Sequence, residues 1–232
     1  MSSNFDDKTV FVTSADRHMG PTLVEHFRDL GASVIADTHD YTDDDPTINE
    51  IVADAGRIDV LIVQLAGPER LSPASELEMD PTSFADEDFS AFLDEMTWPV
   101  VRFTRAVLPQ MIERQEGKIV GILSGSVMRP MDMHLYSAAR AAATTFLQSV
   151  GKDDDVAGNN VQINGIAPAF HESDFYFTDE MMDDEFRQSL ESQIPAGRLG
   201  TEKEAAELVE ALAGRPSDFM AGNILPLAGV WI

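Results

Sequence analysis

Six short runs rich in apolar and β-branched residues, at 9–13, 32–37, 58–66, 118–123, 161–166 and 223–227, are separated mostly by segments whose apolar residues recur at helical spacing. Runs that are apolar nearly throughout belong to strands buried on both faces. The pattern therefore predicts an α/β fold of three layers, with helices on either side of a mostly parallel sheet. After Gly20, the residues Leu23, Val24, Phe27 and Leu30 form one apolar stripe, and Gly31 stops that helix just before the second run. Strand, helix and strand make a Rossmann-like opening. A long helical region is predicted over 86–114, with Pro99 and Pro109 marking boundaries or a bend, and another helix over 134–150, where Ala138, Ala139, Ala141, Ala142 and Ala143 permit close packing. Residues 38–57 are too few for a full helix-strand-helix excursion, so the third strand is expected to be shortened or missing. No repeat or linker divides the chain, and a single Rossmann-like domain over 1–232 is expected.

Charge narrows the partners. Forty-one Asp and Glu against sixteen Lys and Arg leave a formal charge of -25, which repels nucleic acid phosphates and anionic membranes alike. No apolar run approaches the roughly 20 residues of a bilayer crossing, and the polar start lacks a secretory pattern, so a cytoplasmic location is expected. The absence of cysteine excludes a disulfide scaffold, a Cys-ligated zinc site and a thiol nucleophile. His18 and His171 have no carboxylate or histidine at ligand spacing, and no metal is expected. The acidic stretches 40–45 and 152–158 read as solvated loops.

A nucleotide-binding version of this opening would place glycines between the first strand and its helix, so that the backbone can approach a pyrophosphate. Only Gly20 stands where a Gly-x-x-x-Gly-x-Gly spacing needs three, Ser14 and His18 taking the other positions. Their side chains would project where a dinucleotide lies, and Asp16 adds an unfavourable charge. Asp37, at the end of the second run, reads either as a mimic of an acidic ribose-binding residue or as a strand-end polar residue.

Leu123-Ser124-Gly125-Ser126 ends a strand, where open α/β sheets collect ligands, and Tyr136-Ser137-Ala138-Ala139-Arg140 follows in a helical context. Tyrosine and arginine four apart share a helical face, so the guanidinium can stabilise the phenolate and lower the pKa of the phenol. A strand-edge serine, Ser124 in preference to Ser126, would then hold a substrate oxygen while Tyr136 moves its proton.

With these residues the chain resembles the short-chain dehydrogenase/reductase superfamily and, within it, the halohydrin dehalogenases. Thr13, His18 and Gly20 are similar to the Thr-x-x-x-x-aromatic-x-Gly pattern that replaces the nucleotide loop there, and Ser124, Tyr136 and Arg140 to the Ser-Tyr-Arg triad. The segments 160–168 and 195–200 resemble superfamily segments as well. Two departures stand out: His18 replaces a phenylalanine or tyrosine, and the interval from Ser124 to Tyr136 is one residue short. The resemblance implies a carbon-halide lyase without a cofactor, which closes vicinal haloalcohols to epoxides with release of halide. It also implies reverse opening of epoxides by small anions. Its halide and substrate pocket would comprise His18, Pro168, Ala169 and Phe170, with Phe175, Tyr176 and Phe177 at the mouth. A homotetramer is expected on the same ground. The alternative is an NAD(P)-dependent short-chain reductase with a degenerate nucleotide loop.

Overall fold

In the computed structural model, which describes residues 5–39, 41, 47–65, 80–130, 132–172 and 183–232, every one of the six apolar runs becomes a strand. They are β1 (Thr9–Val12), β2 (Ser33–Ala36), β3 (Val60–Val63), β4 (Gly117–Ile122), β5 (Val161–Pro168) and β6 (Ile224–Leu227). All pair in parallel in the order β2-β1-β3-β4-β5-β6. The third strand has four residues, in keeping with the shortened strand expected. Because β1 pairs with β2 on one side and β3 on the other, the chain reverses direction across the sheet there. A crevice at the carboxyl ends of the strands is the geometric result.

Alternation along the strands builds two cores, since successive side chains point to opposite faces. Phe11, Leu61, Val63 and Ile119 face one way and meet Phe103, Val107 and Leu147. Val10, Val12, Val60, Ile62, Val120 and Ile122 face the other, against Leu23, Phe27 and Val209. The helices that supply these contacts are α1 (Gly20–Asp29), α2 (Thr47–Ala55), α3 (Asp86–Met96), α4 (Trp98–Arg114), α5 (His134–Gly151), α6 (Asp154–Ala157), α7 (Asp184–Gln193) and α8 (Glu202–Ala213). Gly31 turns the chain from α1 into β2 at φ 86°, a left-handed conformation that suits glycine.

The long helix expected over 86–114 is two helices broken at Thr97, whose hydroxyl donates to the Ala139 carbonyl of α5 at 2.8 Å. Pro99 sits in the first turn of α4, where a missing N–H breaks no helical bond, while Pro109 is taken up inside the helix. The stretch 152–158 is more than a solvated loop. Asp153 accepts from the Asp155 amide and so caps the short helix α6. No described helix is long and apolar enough to cross a membrane.

The start of α8 carries a pH-sensitive fastening. Thr201 and Glu204 form a reciprocal capping box, and Arg198 grips Glu204 with both guanidinium nitrogens at 2.9 and 2.5 Å. The Arg198 hydrogen bond first, then the Thr201 amide, hold the Glu204 carboxyl down at about 2 against an ordinary 4.5. A carboxyl depressed in the fold contributes stability above the ordinary value and loses it as pH falls toward the folded value. Glu204→Gln is therefore expected to lower the melting temperature at neutral pH and to flatten its decline between pH 4.5 and 2, as read by circular dichroism. Parallel melting curves of parent and variant across that interval would show that Glu204 does not fasten α8.

Candidate active site

The carboxyl end of β4 leads directly into a one-turn 3-10 helix, Gly125–Val127. Ser124 caps it in extended conformation, accepting from the Ser126 amide at 3.2 Å and donating to the Ser126 hydroxyl oxygen at 3.0 Å. The two serines are thus one buried hydrogen-bonded unit at the sheet edge. A β carbon at Gly125 would lie 3.2 Å from the Pro168 carbonyl oxygen and 3.2 Å from Cβ of Ala169, so the end of β5 packs against the serine turn. Pro168 and Ala169 therefore pack against the serine turn. Phe170 turns the other way, edge-on to Trp231 at 5.0 Å, in a cluster with Leu190, Ile194 and Leu199. Phe175, Tyr176 and Phe177 lie outside the described residues.

Tyr136 and Arg140 are buried on α5, one turn apart. Arg140 Nη2 donates to the Ile122 carbonyl at 2.6 Å and so pins α5 to the strand end that carries Ser124. Its Nε is buried and has no partner among the described residues. The Tyr136 ring is held by Phe92, Met96, Met133, Leu135 and Ala139. Arg140 is thus tied to the strand end that carries Ser124, and Tyr136 is packed against α3.

The turn between β1 and α1 closes the other side of the crevice. Ser14 and His18, which stand in for glycines, take left-handed backbone at φ 44° and 46°. A β carbon at Gly20 would fall 2.4 Å from the Ser14 carbonyl oxygen, so the turn is tight enough to require glycine there. Gln64, just past β3, holds the turn in shape. Its side-chain amide donates to the carbonyls of Ser14 at 2.9 Å and Arg17 at 3.0 Å, while its backbone exchanges hydrogen bonds with the Thr13 hydroxyl. The signal for this residue was a polar side chain inside the apolar run 58–66.

His18 is half-buried, and the protein packed around it, followed by electrostatic interaction with His171 and Arg140, holds its pKa well below the ordinary 6.5. Its imidazole is neutral at any working pH. His171 is fully buried, with Nε2 unpartnered among the described residues, and burial pushes its pKa below the ordinary 6.5. Among the described residues no group of three or more His, Asp and Glu side chains gathers as it would around a metal.

A dinucleotide can be tested against this edge. The first turn of α1 has no acidic residue and no side-chain cap, which suits it to a pyrophosphate. Asp37 follows β2 with its carboxylate already accepting from the Tyr41 hydroxyl and paired with His39 at 2.5 Å. Asp16 is exposed and lies 3.9 Å from Arg17, so its charge is partly offset. The glycine-type backbone, the α1 terminus and the free Arg140 Nε fit the group.

Comparison with known proteins bears on the choice between lyase and reductase. The short chain dehydrogenase family matches residues 6–181. A 3-oxoacyl-[acyl-carrier-protein] reductase of Escherichia coli K12 is 29% identical over 97% of this chain and 98% of its own length. Among solved structures, one described as ElxO with NADP bound superposes with a TM-score of 0.84 at 20% identity, over 97% of this chain and 98% of that one. A dehalogenation enzyme superposes at 0.79 and 22% identity, over 98% and 99%, a likeness of fold alone. These findings overturn the expectation of a halohydrin dehalogenase: neither a carbon-halide lyase, nor halide binding, nor haloalcohol and epoxide partners are supported, since full-length sequence similarity runs to a reductase. The structural reason is specific. The dehalogenase reading took Ser14 and His18 as a replaced loop, whereas the backbone of a glycine turn is retained beneath them.

Proposed function

Because the chain belongs to the short-chain dehydrogenase family, we propose that it is a nicotinamide-dependent reductase that interconverts a carbonyl and an alcohol. The observation that carries this reading is the hydrogen bond from Arg140 to the Ile122 carbonyl, which ties the helix bearing Tyr136 to the strand end that runs into the Ser124–Ser126 unit. A serine hydroxyl donates to the carbonyl oxygen and orients it. Tyr136 delivers its hydroxyl proton to that oxygen as negative charge develops there. Arg140, fixed by the Ile122 carbonyl, places a permanent positive charge one helical turn away and stabilises the phenolate left behind. The cofactor, when bound, supplies the hydride. Its pyrophosphate would be held by the first turn of α1, its adenosine ribose by Asp37, and its nicotinamide-side ribose by Arg140.

The relative's name supplies a substrate class to try first, a 3-oxoacyl thioester. The purified chain, given NADH or NADPH with such a thioester and a panel of small ketones, is expected to consume reduced cofactor in equal amount to the alcohol formed. No consumption of either cofactor across the panel would defeat the proposal.

A further inference from the structure

We infer that Arg129 sets the substrate class of this chain: its guanidinium, held in place by Trp231, receives a carboxylate on the same small molecule whose carbonyl is reduced, which makes the substrate an oxo acid. The inference rests on the reductase reading above.

Arg129 is tied to the serine turn. Its amide donates to the Gly125 carbonyl at 3.0 Å, and Gly125 lies between Ser124 and Ser126. The residue that carries the charge and the hydroxyls that meet a carbonyl thus share one short stretch of hydrogen-bonded backbone. The side chain is fixed as well. Nη1 donates to the Trp231 carbonyl at 2.7 Å, and the guanidinium carbon stands over the Trp231 ring, 4.6 Å from its centroid. That ring is buried, edge-on to Phe170 just past the end of β5, while Arg129 itself is exposed.

Both contacts with Trp231 are to neutral groups. They orient the guanidinium without cancelling its charge, and its remaining N–H groups stay open to an anion. Lys8, Arg57, Lys118, Arg187 and Arg198 each meet a carboxylate, whereas Arg129 meets none among the described residues. With forty-one Asp and Glu in the chain, the lack is not one of supply. A net charge of -25 repels an anionic substrate, so such a molecule has to be held by a local cation. Arg140 is buried and tied to the Ile122 carbonyl, which leaves Arg129 for that part. A guanidinium fork matches a carboxylate through two parallel hydrogen bonds and so fixes how the rest of the molecule lies.

The test compares 2-, 3- and 4-oxopentanoate, each beside its methyl ester, with NADH and NADPH, on the parent, Arg129→Gln and Arg129→Lys. Circular dichroism checks folding. In the parent, kcat/KM for at least one acid is expected to exceed that for its ester by roughly tenfold or more. In Arg129→Gln that ratio should fall to about one or below, mainly through a higher KM for the acid. Arg129→Lys should keep an intermediate ratio, since the charge is retained without the fork, and it serves should the glutamine variant fold poorly. A role confined to holding Trp231 would lower the melting temperature and slow acid and ester alike. An unchanged ratio in the folded variants would therefore overturn the inference. So would a parent that reduces the esters, or a 3-oxoacyl thioester, in preference to every acid, and the reductase reading would then stand. Reduction of none of these compounds with either cofactor would instead overturn the reductase reading and this inference with it.

Discussion

Tyr136→Phe is expected to fold as the parent does and to lose about two orders of magnitude or more in turnover. The substitution removes one oxygen and keeps the ring, and the ring is what α5 uses against Phe92, Met96 and Met133. Packing is thereby preserved. The hydroxyl is the group that hands a proton to the substrate oxygen, and Phe has nothing to replace it. Dissociation constants for nicotinamide dinucleotides should change little, because in the proposed arrangement the cofactor is held by α1, Asp37 and Arg140. Steady-state rates, cofactor titration and circular dichroism on the same preparation separate the effects. Near-parental turnover in a folded Tyr136→Phe would reject Tyr136 as the proton donor.

Phe103→Ala should cost about 3–5 kcal/mol of folding stability. Phe103 is fully buried on α4, edge-on to Tyr41 at 4.9 Å and tilted against Phe11 of β1 at 5.7 Å. It joins helix, strand and the segment that follows β2, so little around it can collapse into the space left. Urea unfolding gives the measurement, with Phe219→Ala as a companion: that ring is fully exposed, and its removal should stay within about 0.5 kcal/mol. A midpoint for Phe103→Ala near that of Phe219→Ala would contradict the packing described. Because the Tyr41 hydroxyl donates to Asp37, the same truncation is also expected to weaken dinucleotide binding through loss of support for that carboxylate.

The strands were legible in the sequence because each is buried on both faces and reads as a nearly unbroken apolar run between helical segments. Tyr136 and Arg140 were legible because helical spacing alone puts them on one face. What escaped depended on residues distant in the chain. The break at Thr97 is secured by a hydrogen bond to Ala139, and the turn before α1 is held by Gln64, about fifty positions later. Side-chain identity also misled at Ser14 and His18. Their bulk argued for a different loop and hence for dehalogenation, but left-handed backbone is uncommon rather than forbidden for serine and histidine. Of the pocket expected there, Pro168 and Ala169 pack against the serine turn, while Phe170 is edge-on to Trp231.

Gln64 has a bearing on how such chains are recognised. A turn whose carbonyls are tied to a side chain on a neighbouring strand inherits its shape from that strand, and the glycines cease to be what maintains it. Mutations can then erase the glycine signature while the backbone persists, and a search by motif would discard the chain although its geometry survives. The same circumstance shortens the path to a glycine loop: glycine at positions 14 and 18 would meet a backbone already left-handed there.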